Sequence, residues 1–519
     1  MSRARRFGKI TAAFAASVLL VGTASWFGGS AGAATPPTSA GGQWQLLSAN
    51  PLPFYPQAAM VLTDGSVMLQ EVTSDQWWRL RPDASGNYLN GTYEKTPPAP
   101  NDYAPTYPCR AILPDGRMLV EGGEYMGTNP VPVETNQGAV YDPVADSWAS
   151  VTPPPGATQI GDRACTVMPN GKLLLASRSG ATIYELDPAS MTWTVLTPSG
   201  KLNNSNTEEN WTLLPDGTIL TVDVRQQGSA ERYIPPWLSG STNGEWISAG
   251  TLPTHLSVST EMGPAVLRPD GTVFQAGANG QNAVYTPPAT LFGTGSWTAA
   301  DPFTAPSGEI YAMADGTASL LPDGHVISIA SPGVFQRPSL EFSALGTHTA
   351  PLDSQLPDTV NSQISSYSPD SVLLPTGQVL ATLIGGGEEP LIPPYVFTPT
   401  GTADPQWRPK IMTHDDRQQL VTRGETITLT GTQLSGLSQG SNYGDDGDSA
   451  TNFPVVRIVN SDTHRVEYAR TFGFSEQVAA GKTPQSTQVA LPSDLDQGPA
   501  NLYVVANGIA SPPLRVIVQ

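Results

Sequence analysis

Leu113-Pro114-Asp115-Gly116 stands between two apolar runs, and versions of this stretch occur seven times along the chain. Pro, Asp and Gly in this order are typical of a tight turn, and apolar runs on both sides indicate a β-hairpin. The other six copies are Val61-Leu62-Thr63-Asp64-Gly65, Met168-Pro169-Asn170-Gly171, Leu214-Pro215-Asp216-Gly217, Arg268-Pro269-Asp270-Gly271, Leu321-Pro322-Asp323-Gly324 and Leu374-Pro375-Thr376-Gly377.

The turn glycines follow one another at intervals of 51, 55, 46, 54, 53 and 53 residues. This period suits one four-stranded blade of a Kelch-type propeller, so seven turns predict an all-β, seven-bladed β-propeller. Recurrent aromatic residues predict a third strand in each blade, at Trp78, Tyr141, Tyr184, Tyr233, Tyr285, Phe342 and Phe397. A fourth strand is predicted around Trp148, Trp193, Trp246, Trp297 and Trp407. Because they recur at one phase of the repeat, we expect these rings to pack between blades rather than to bind a ligand.

The ends of the chain suggest two further segments. Residues 1–33 have basic residues, an apolar stretch and then Ala31-Gly32-Ala33, which predicts a secretory signal peptide and an extracellular mature protein. The propeller is predicted over residues 34–408. The sequence leaves open whether Trp44 belongs to a strand that closes the ring with the last blade. Strands predicted at residues 425–431, 454–460, 487–491 and 501–506 indicate a smaller immunoglobulin-like β-sandwich over residues 409–519.

Charge and cysteine content restrict the possible partners. The net charge is −19, and loss of the four basic residues of the signal peptide takes it to −23, which disfavours nucleic acid and anionic lipid. No later apolar stretch is long enough to span a bilayer, and a monomer is expected. Cys109 and Cys165 precede the turns of blades 2 and 3, where neighbouring strands would let them form a disulfide.

The order of a signal peptide, a seven-bladed propeller and a small C-terminal domain resembles the galactose oxidase and glyoxal oxidase family of copper radical oxidases. The segments that carry the resemblance are Tyr443-Gly444-Asp445-Asp446, Ala450-Thr451-Asn452-Phe453-Pro454 and Val504-Val505-Ala506-Asn507-Gly508. The resemblance implies an early-set C-terminal domain. It also implies a copper site made of a cysteine cross-linked to a tyrosine, a second tyrosine and two histidines, which oxidises an alcohol or aldehyde and produces hydrogen peroxide.

Matched to that pattern, this chain keeps few of the site residues. Cys109 matches the family cysteine and Tyr367 the second tyrosine. Asp162, Ser368 and Phe472 stand where the family has the cross-linked tyrosine and the two histidines. The five histidines, His255, His325, His348, His414 and His464, are scattered without a metal-binding spacing. We therefore predict that copper radical chemistry is absent and that no cofactor is needed, with copper retained as the alternative if these matches are displaced.

Acidic residues precede the innermost strand at a similar distance in several blades: Asp162, Glu208, Glu209, Glu261, Asp315 and Asp370. They are either solvated acids at strand ends or a ring at one mouth of the propeller that binds calcium, a carbohydrate or a cationic partner, or that acts as acid and base on a carbohydrate. Asp445, Asp446 and Asp448 form a second acidic stretch, which is either a solvated loop or a calcium site.

Three functions follow from these observations. The leading one is a non-catalytic extracellular propeller that binds a carbohydrate, an envelope component or a protein. The alternatives are an enzyme, either a copper-dependent oxidase or an acid-ring enzyme, and a purely structural protein of the cell surface.

Overall fold

The computed structural model describes residues 39–47, 52–129, 131–178, 180–226, 228–384, 390–412, 419–444, 447–479 and 483–519. The predicted signal peptide lies outside these residues.

Seven sets of four antiparallel strands form the blades of a β-propeller, as the repeat predicts. Six of them are separate four-stranded sheets, and the strands of blade 6 belong to a six-stranded sheet. Blades 1 to 3 consist of Pro56–Val61, Val67–Glu71, Trp77–Arg81, Thr92–Lys95; Cys109–Ile112, Met118–Glu121, Gly138–Asp142, Ser147–Val151; and Cys165–Val167, Leu173–Ala176, Ile183–Asp187, Thr192–Leu196. Blades 4 and 5 consist of Thr212–Leu213, Ile219–Val222, Ser229–Ile234, Glu245–Thr251; and Ala265–Leu267, Val273–Ala276, Asn282–Thr286, Ser296–Ala300. Blades 6 and 7 consist of Thr317–Leu320, Val326–Ala330, Leu340–Leu345, His348–Pro351; and Asp370–Leu373, Val379–Thr382, Tyr395–Pro399 with Gly42–Leu46.

The repeated turn has a local physical cause. In blade 1, Gly65 has a φ of +74°, a conformation that glycine adopts without steric cost. The Asp64 carboxylate accepts a hydrogen bond from the Ser66 backbone N–H at 3.1 Å, which fixes the return of the chain. Each blade therefore begins with a hairpin that its own sequence specifies.

The ring is closed by an N-terminal strand, a point that the sequence left open. Gly42–Leu46 is the outer strand of blade 7, and Trp44 lies opposite Phe397 in the antiparallel register. Their rings are 5.2 Å apart. The first described strand and the last blade therefore form one sheet.

The recurrent aromatic residues pack against one another across the third and fourth strands. Tyr141 and Trp148 are 5.1 Å apart, and Tyr285 and Trp297 are 5.0 Å apart. Trp407 was predicted in a fourth strand, and this is wrong: it lies in the 3-10 helix Pro405–Trp407, because the N-terminal strand takes the outer position of blade 7. These rings are structural.

Short elements occupy the connections. Two small hairpins pair Pro105–Thr106 with Tyr125–Met126, and Phe303–Thr304 with Ile310–Tyr311. The α-helices are Pro236–Ser239 and Asp358–Asn361, and the other 3-10 helices are Tyr88–Asn90, Pro100–Asp102 and Leu202–Asn204. None of the helices in the described parts of the chain has the length and apolar character needed to cross a membrane.

The C-terminal part contributes a nine-stranded sheet of its own. Along the sheet the strands run Lys410–Ile411, Thr426–Thr432, Gln485–Ala490, Val466–Phe472, Val455–Asn460, Gly498–Ala506, Leu514–Val518 and Gln419–Val421, with Ile509–Ala510 paired to Gly498–Ala506. The four strands predicted here are present with shifted ends. That they form an immunoglobulin-like sandwich stays a prediction.

We call the two ends of the propeller the turn face and the entry face. The turn face carries the seven repeated turns, and the C-terminal strands contact it: the Gly473 N–H donates to the Pro114 carbonyl oxygen at 2.7 Å, and a Cβ at Gly65 would meet the Tyr468 ring. The entry face carries the connections that lead into each innermost strand and those between second and third strands, because antiparallel strands reverse direction at every step.

A hairpin of the C-terminal part enters the propeller channel. Ser441–Tyr443 pairs with the innermost strand of blade 6, Thr317–Leu320, and with Gly447–Asp448. Gln439 accepts a hydrogen bond from the Leu213 N–H and donates to Thr166, while Asn442 accepts from the Ala265 N–H. The hairpin thus reaches from the turn face toward the entry face and hydrogen-bonds to blades 3 to 6.

Candidate functional site

Four of the six acids predicted to form a ring meet at the entry face. Asp162, Glu208, Glu261 and Asp315 lie on the segments that lead into blades 3, 4, 5 and 6. These segments cross from the outer edge of one blade to the axis of the propeller, so acids at one phase of the repeat converge. Glu261 and Asp315 are hydrogen-bonded to each other, and the charge of Asp162 acts on both Glu208 and Glu261.

Two further acids of the cluster come from blade 2 and were missed. Glu124 and Glu134 lie on its connection between second and third strands, and the Glu134 N–H donates to the Glu124 carbonyl oxygen at 3.0 Å. Neither has the phase of the repeated acids. The signal that pointed to them was the longest interval between turns, the 55 residues from Gly116 to Gly171. We call Glu124, Glu134, Asp162, Glu208, Glu261 and Asp315 the acid mouth.

Arg163 lies at the centre of the acid mouth. Its guanidinium donates to Asp162 at 2.6 Å and to Glu134 at 3.5 Å, and lies 3.8 Å from Glu208. The Arg163 side chain is only 1% exposed, so it forms the floor of the cluster. A second cation, Arg178, pairs with Glu134 at 2.8 Å. In the described residues, these two guanidinium groups therefore pair with three of the six carboxyl groups, Glu134, Asp162 and Glu208.

Burial, and then neighbouring charge, raises the pKa of four of these carboxyl groups. Burial, and then the charge of Asp162, raises the pKa of both Glu124 and Glu208 to about 7. Burial also raises the pKa of Glu134 and Glu261. At neutral pH the acid mouth is therefore partly protonated, and it can donate as well as accept protons.

Aromatic side chains stand beside the acid mouth. Tyr107 stacks on Tyr443 at 5.7 Å and meets Tyr125 edge-on at 6.3 Å. Phe335 lies 5.1 Å from Tyr367, whose carbonyl oxygen accepts a hydrogen bond from the Tyr443 hydroxyl. We call these five residues the aromatic group.

Two contacts join the aromatic group to the acid mouth. Tyr125 directly follows Glu124 in the chain and hydrogen-bonds to its carboxyl group. Gly444, next to Tyr443, packs so closely on Asp315 that a Cβ there would lie 2.9 Å from the Asp315 Cα. Acids and rings therefore share one part of the entry face.

The other two predicted ring acids point elsewhere. Glu209 turns into blade 4, where its carboxylate accepts from Lys201 Nζ at 2.6 Å. Asp370 is the first residue of an innermost strand and pairs inside the channel with Arg110 at 2.5 Å. Its oxygens also accept from the Ala59 N–H at 3.1 Å and from Ser449 at 3.4 Å. The prediction that these two acids line the mouth is wrong.

Glu209 belongs to a second acidic cluster, with Asp223 and Glu231. One ligand atom of each lies within 4.8 Å of the others. Lys201 Nζ already lies 2.6 Å from Glu209 and 2.5 Å from Glu231, and 4.6 Å from the centre of the Trp246 ring. A lysine ammonium thus occupies the position that a metal ion would need.

The residues matched to the copper site do not come together. Cys109 Sγ is bonded to Cys165 Sγ, which leaves no thiol for a thioether. Ser368 is buried, and its hydroxyl accepts from the Ser365 N–H. Phe472 lies on the turn face, where the Arg470 guanidinium lies over its ring. Tyr367 lies on the entry face.

The described histidines also lie apart from Tyr367. His255, His348 and His464 are exposed, and His348 pairs with Asp301 at 2.9 Å. His325 belongs to the turn of blade 6 and pairs with Asp323 at 3.1 Å. His414 and two of the calcium candidates, Asp445 and Asp446, lie outside the described residues. Asp448 pairs through its backbone with Asn442, and its side chain is not described.

No protein-family model and no curated protein matches the chain. Among solved structures, a fungal alcohol oxidase of the AA5 family in complex with copper matches with a TM-score of 0.52 and 14% identity, over 93% of this chain and 100% of that chain. A catalytically inactive virginiamycin B lyase from Staphylococcus aureus with quinupristin has a TM-score of 0.47 and 13% identity, over 69% and 99%. YCF48 from Cyanidioschyzon merolae has a TM-score of 0.42 and 12% identity, over 68% and 98%.

These neighbours are propeller proteins. At 14% identity, the likeness to the AA5 oxidase shows the fold. It agrees, at that level, with the predicted resemblance to the galactose oxidase family.

Proposed function

We propose that this protein is a secreted propeller that binds an extracellular carbohydrate, envelope component or protein at the acid mouth, without copper radical chemistry. One observation carries the proposal: six carboxyl groups from five consecutive blades come together, three of them around the buried Arg163, beside the aromatic group. Pockets with convergent polar groups and shifted pKa values are the usual places of binding.

The backbone around the acid mouth supports a functional role. Tyr107, Glu134, Glu208, Asp315 and Phe335 have φ values between +42° and +59°, which side-chain-bearing residues rarely adopt. Each such residue costs of order 1 kcal/mol and persists only where the surrounding structure enforces it. At these positions backbone strain and like-charge repulsion therefore occur together.

The copper alternative fails on its donor set. A copper radical site needs a thioether cysteine and imidazole ligands, and copper strongly favours imidazole. Here Cys109 is in a disulfide, and Ser368 and Phe472 stand at the histidine positions. The residues present do not fit copper, so we derive no reaction through it.

Metal analysis with a peroxide assay tests this part of the proposal. Protein secreted into copper-containing medium is purified, analysed for copper and calcium, and assayed for peroxide with simple alcohols, aldehydes and galactose. We expect neither stoichiometric copper nor peroxide. Copper together with peroxide would establish a copper-dependent alcohol or aldehyde oxidase, and stoichiometric calcium would direct attention to Asp445, Asp446 and Asp448.

Binding itself is tested with matched variants. Glu208→Gln and Asp162→Asn remove charge at the acid mouth, and Glu425→Gln removes an exposed charge from the C-terminal sheet. Binding is measured to a panel of polysaccharides, cell-envelope fractions and basic peptides. We expect one ligand class to bind wild type and Glu425→Gln with equal affinity and to bind Glu208→Gln and Asp162→Asn more weakly. Equal affinity for all four proteins would show that the binding site lies elsewhere.

The pKa values favour one second candidate, an acid-ring enzyme that acts on a carbohydrate. Glu208, with a pKa of about 7, lies close to Glu261, which shares a hydrogen bond with Asp315, so proton donors and acceptors stand side by side. Such an enzyme would release reducing ends or unsaturated products from a polysaccharide panel between pH 5 and 8, and Glu208→Gln would abolish the release. Binding without any product would reject it.

A further inference from the structure

We infer that the entry face docks a basic segment of another protein, an extended chain in which lysine or arginine side chains alternate with apolar ones. The inference rests on the proposed binding function of this face and names the partner.

Exposed apolar side chains lie on the same face of the propeller as the acid mouth. They are Tyr55 (38% exposed), Val131 (62%), Val133 (40%), Ile310 (45%), Phe335 (38%) and Leu391 (57%). We call these six residues the apolar rim. Exposed apolar patches that lie next to polar residues mark interaction sites when they are large, whereas single exposed apolar residues are common.

The topology places the apolar rim on the entry face. Tyr55 and Ile310 lie on segments that lead into the innermost strands of blades 1 and 6. Val131, Phe335 and Leu391 lie on connections between the second and third strands of blades 2, 6 and 7. In an antiparallel four-stranded blade both kinds of connection lie at the same end.

The aromatic group joins the rim to the acids. Phe335 belongs to both sets and packs on Tyr367, while Tyr107 stacks on Tyr443. Aromatic faces attract lysine and arginine cations, and their edges pack against aliphatic side chains. A chain that crosses from rim to mouth would therefore contact apolar, aromatic and acidic groups in turn.

Charge complementarity selects a basic occupant. In the described part of the chain, Arg163 and Arg178 pair with three of the six carboxyl groups, in a protein whose net charge is −19. A cationic side chain would relieve the repulsion that raises the pKa of Glu124 and Glu208, whereas an anionic glycan would increase it. A neutral sugar would leave that repulsion in place, and a bare metal ion would leave the apolar rim uncovered.

Fluorescence anisotropy with three defined probes tests the inference. The probes are labelled hexapeptides of alternating lysine and leucine, of lysine and serine, and of glutamate and leucine. We expect the first to bind best, the second about tenfold more weakly, and the third not at all, because only the first offers both charge and apolar surface. The affinity of the lysine–leucine probe should fall as the salt concentration rises and should increase as pH rises through 7, since ionised carboxylates bind a cation.

Matched variants locate the binding. Glu208→Gln should weaken the lysine–leucine probe about tenfold and Val131→Ser about threefold. Glu425→Gln in the C-terminal sheet and Val144→Ser, 69% exposed in a turn-face hairpin of blade 2, should leave it unchanged. Circular dichroism of each variant checks that the fold is retained.

Each other outcome is decisive. Equal loss with mouth and control variants would mean non-specific attraction to an acidic protein and would overturn the inference. If a polysaccharide binds in a mouth-dependent way and no basic peptide does, the proposed function holds and this inference fails. If neither binds, both fail.

Discussion

Cys109 and Cys165 form a disulfide that joins the innermost strands of blades 2 and 3, with 5.8 Å between their Cα atoms. Tyr107 lies two residues before the first cysteine, and Asp162 lies three residues before the second. The disulfide therefore ties a member of the aromatic group to a member of the acid mouth. The cysteine that the family resemblance matched to a radical site thus has a structural partner.

Removal of this disulfide should destabilise the protein and disturb the entry face. The cross-link closes a loop of 56 residues, and loss of such a link typically costs about 2–4 kcal/mol. The double variant Cys109→Ala/Cys165→Ala should unfold at a lower denaturant concentration than wild type. Because both cysteines are in the bond, protein denatured without a reductant should show no free thiol with Ellman's reagent; two reactive thiols would contradict the bond.

The stability of the protein should fall as pH rises from about 5.5 to 8. Burial and the charge of Asp162 raise the pKa of Glu124 and Glu208 from 4.5 to about 7, so the folded protein binds more protons than the unfolded chain between these values. Their favourable contribution is complete below pH 4.5 and is lost as pH rises through 7. Glu208→Gln should be more stable than wild type at pH 8 and should show a shallower dependence on pH.

Thermal unfolding at several pH values measures this effect. Glu425→Gln changes an exposed carboxylate and serves as the control, with the slope of wild type. A slope that is the same in Glu208→Gln and wild type would show that Glu208 titrates normally.

The blades were predictable because their turns are local. Asp64 and Gly65 form their turn through local contacts, and the other repeats have similar turn residues at these positions. The sequence alone therefore specifies each hairpin. The channel hairpin was not predictable, since Ser441–Tyr443 has no alternating pattern and becomes a strand only by pairing with blade 6. There tertiary contact overrides local propensity.

The acid mouth was predictable in part for the same reason. Glu208 and Glu209 are adjacent and both lie near the phase of the repeated acids, but the chain turns at Glu208, which has a φ of +59°, and only Glu208 reaches the mouth. Glu134 reaches it from a connection without repeat phase. The position of a residue within the repeat therefore predicts which segment reaches the propeller axis. The direction of its side chain decides whether that residue belongs to the acid mouth.

Lys201 should be essential for stability. It is only 1% exposed, as are its partners Glu209 and Glu231, and despite the effect of burial these carboxylates raise its pKa. Lys201→Met would leave two buried carboxyl groups without a cation, a change that typically costs about 3–5 kcal/mol. Lys172→Met is the matched control, because Lys172 pairs with Glu185 at 2.6 Å but is 38% exposed, and we expect a cost of about 1 kcal/mol or less. Urea unfolding of both variants distinguishes them, and equal costs would contradict the role of Lys201.

Glu121 should destabilise the protein at neutral and alkaline pH. It ends the second strand of blade 2 opposite Cys109 and is fully buried, and among the described residues neither of its carboxyl oxygens has a hydrogen-bond partner. Burial holds the pKa of Glu121 well above its usual range, so the folded protein keeps this proton at neutral pH while the unfolded chain releases it. One such proton lowers the free energy of unfolding by about 1.4 kcal/mol for each pH unit.

Glu121→Met removes this proton and fills similar space. We expect the variant to be more stable than wild type at pH 8, and its free energy of unfolding to decline less steeply with pH, because an apolar side chain of similar shape leaves no polar group unsatisfied. Denaturant unfolding at pH 6, 7 and 8 gives the slopes, with Glu425→Met as the exposed control. If the variant is less stable than wild type at every pH, the Glu121 carboxyl group has a partner, such as a buried water, that stabilises the interface between blades 2 and 3.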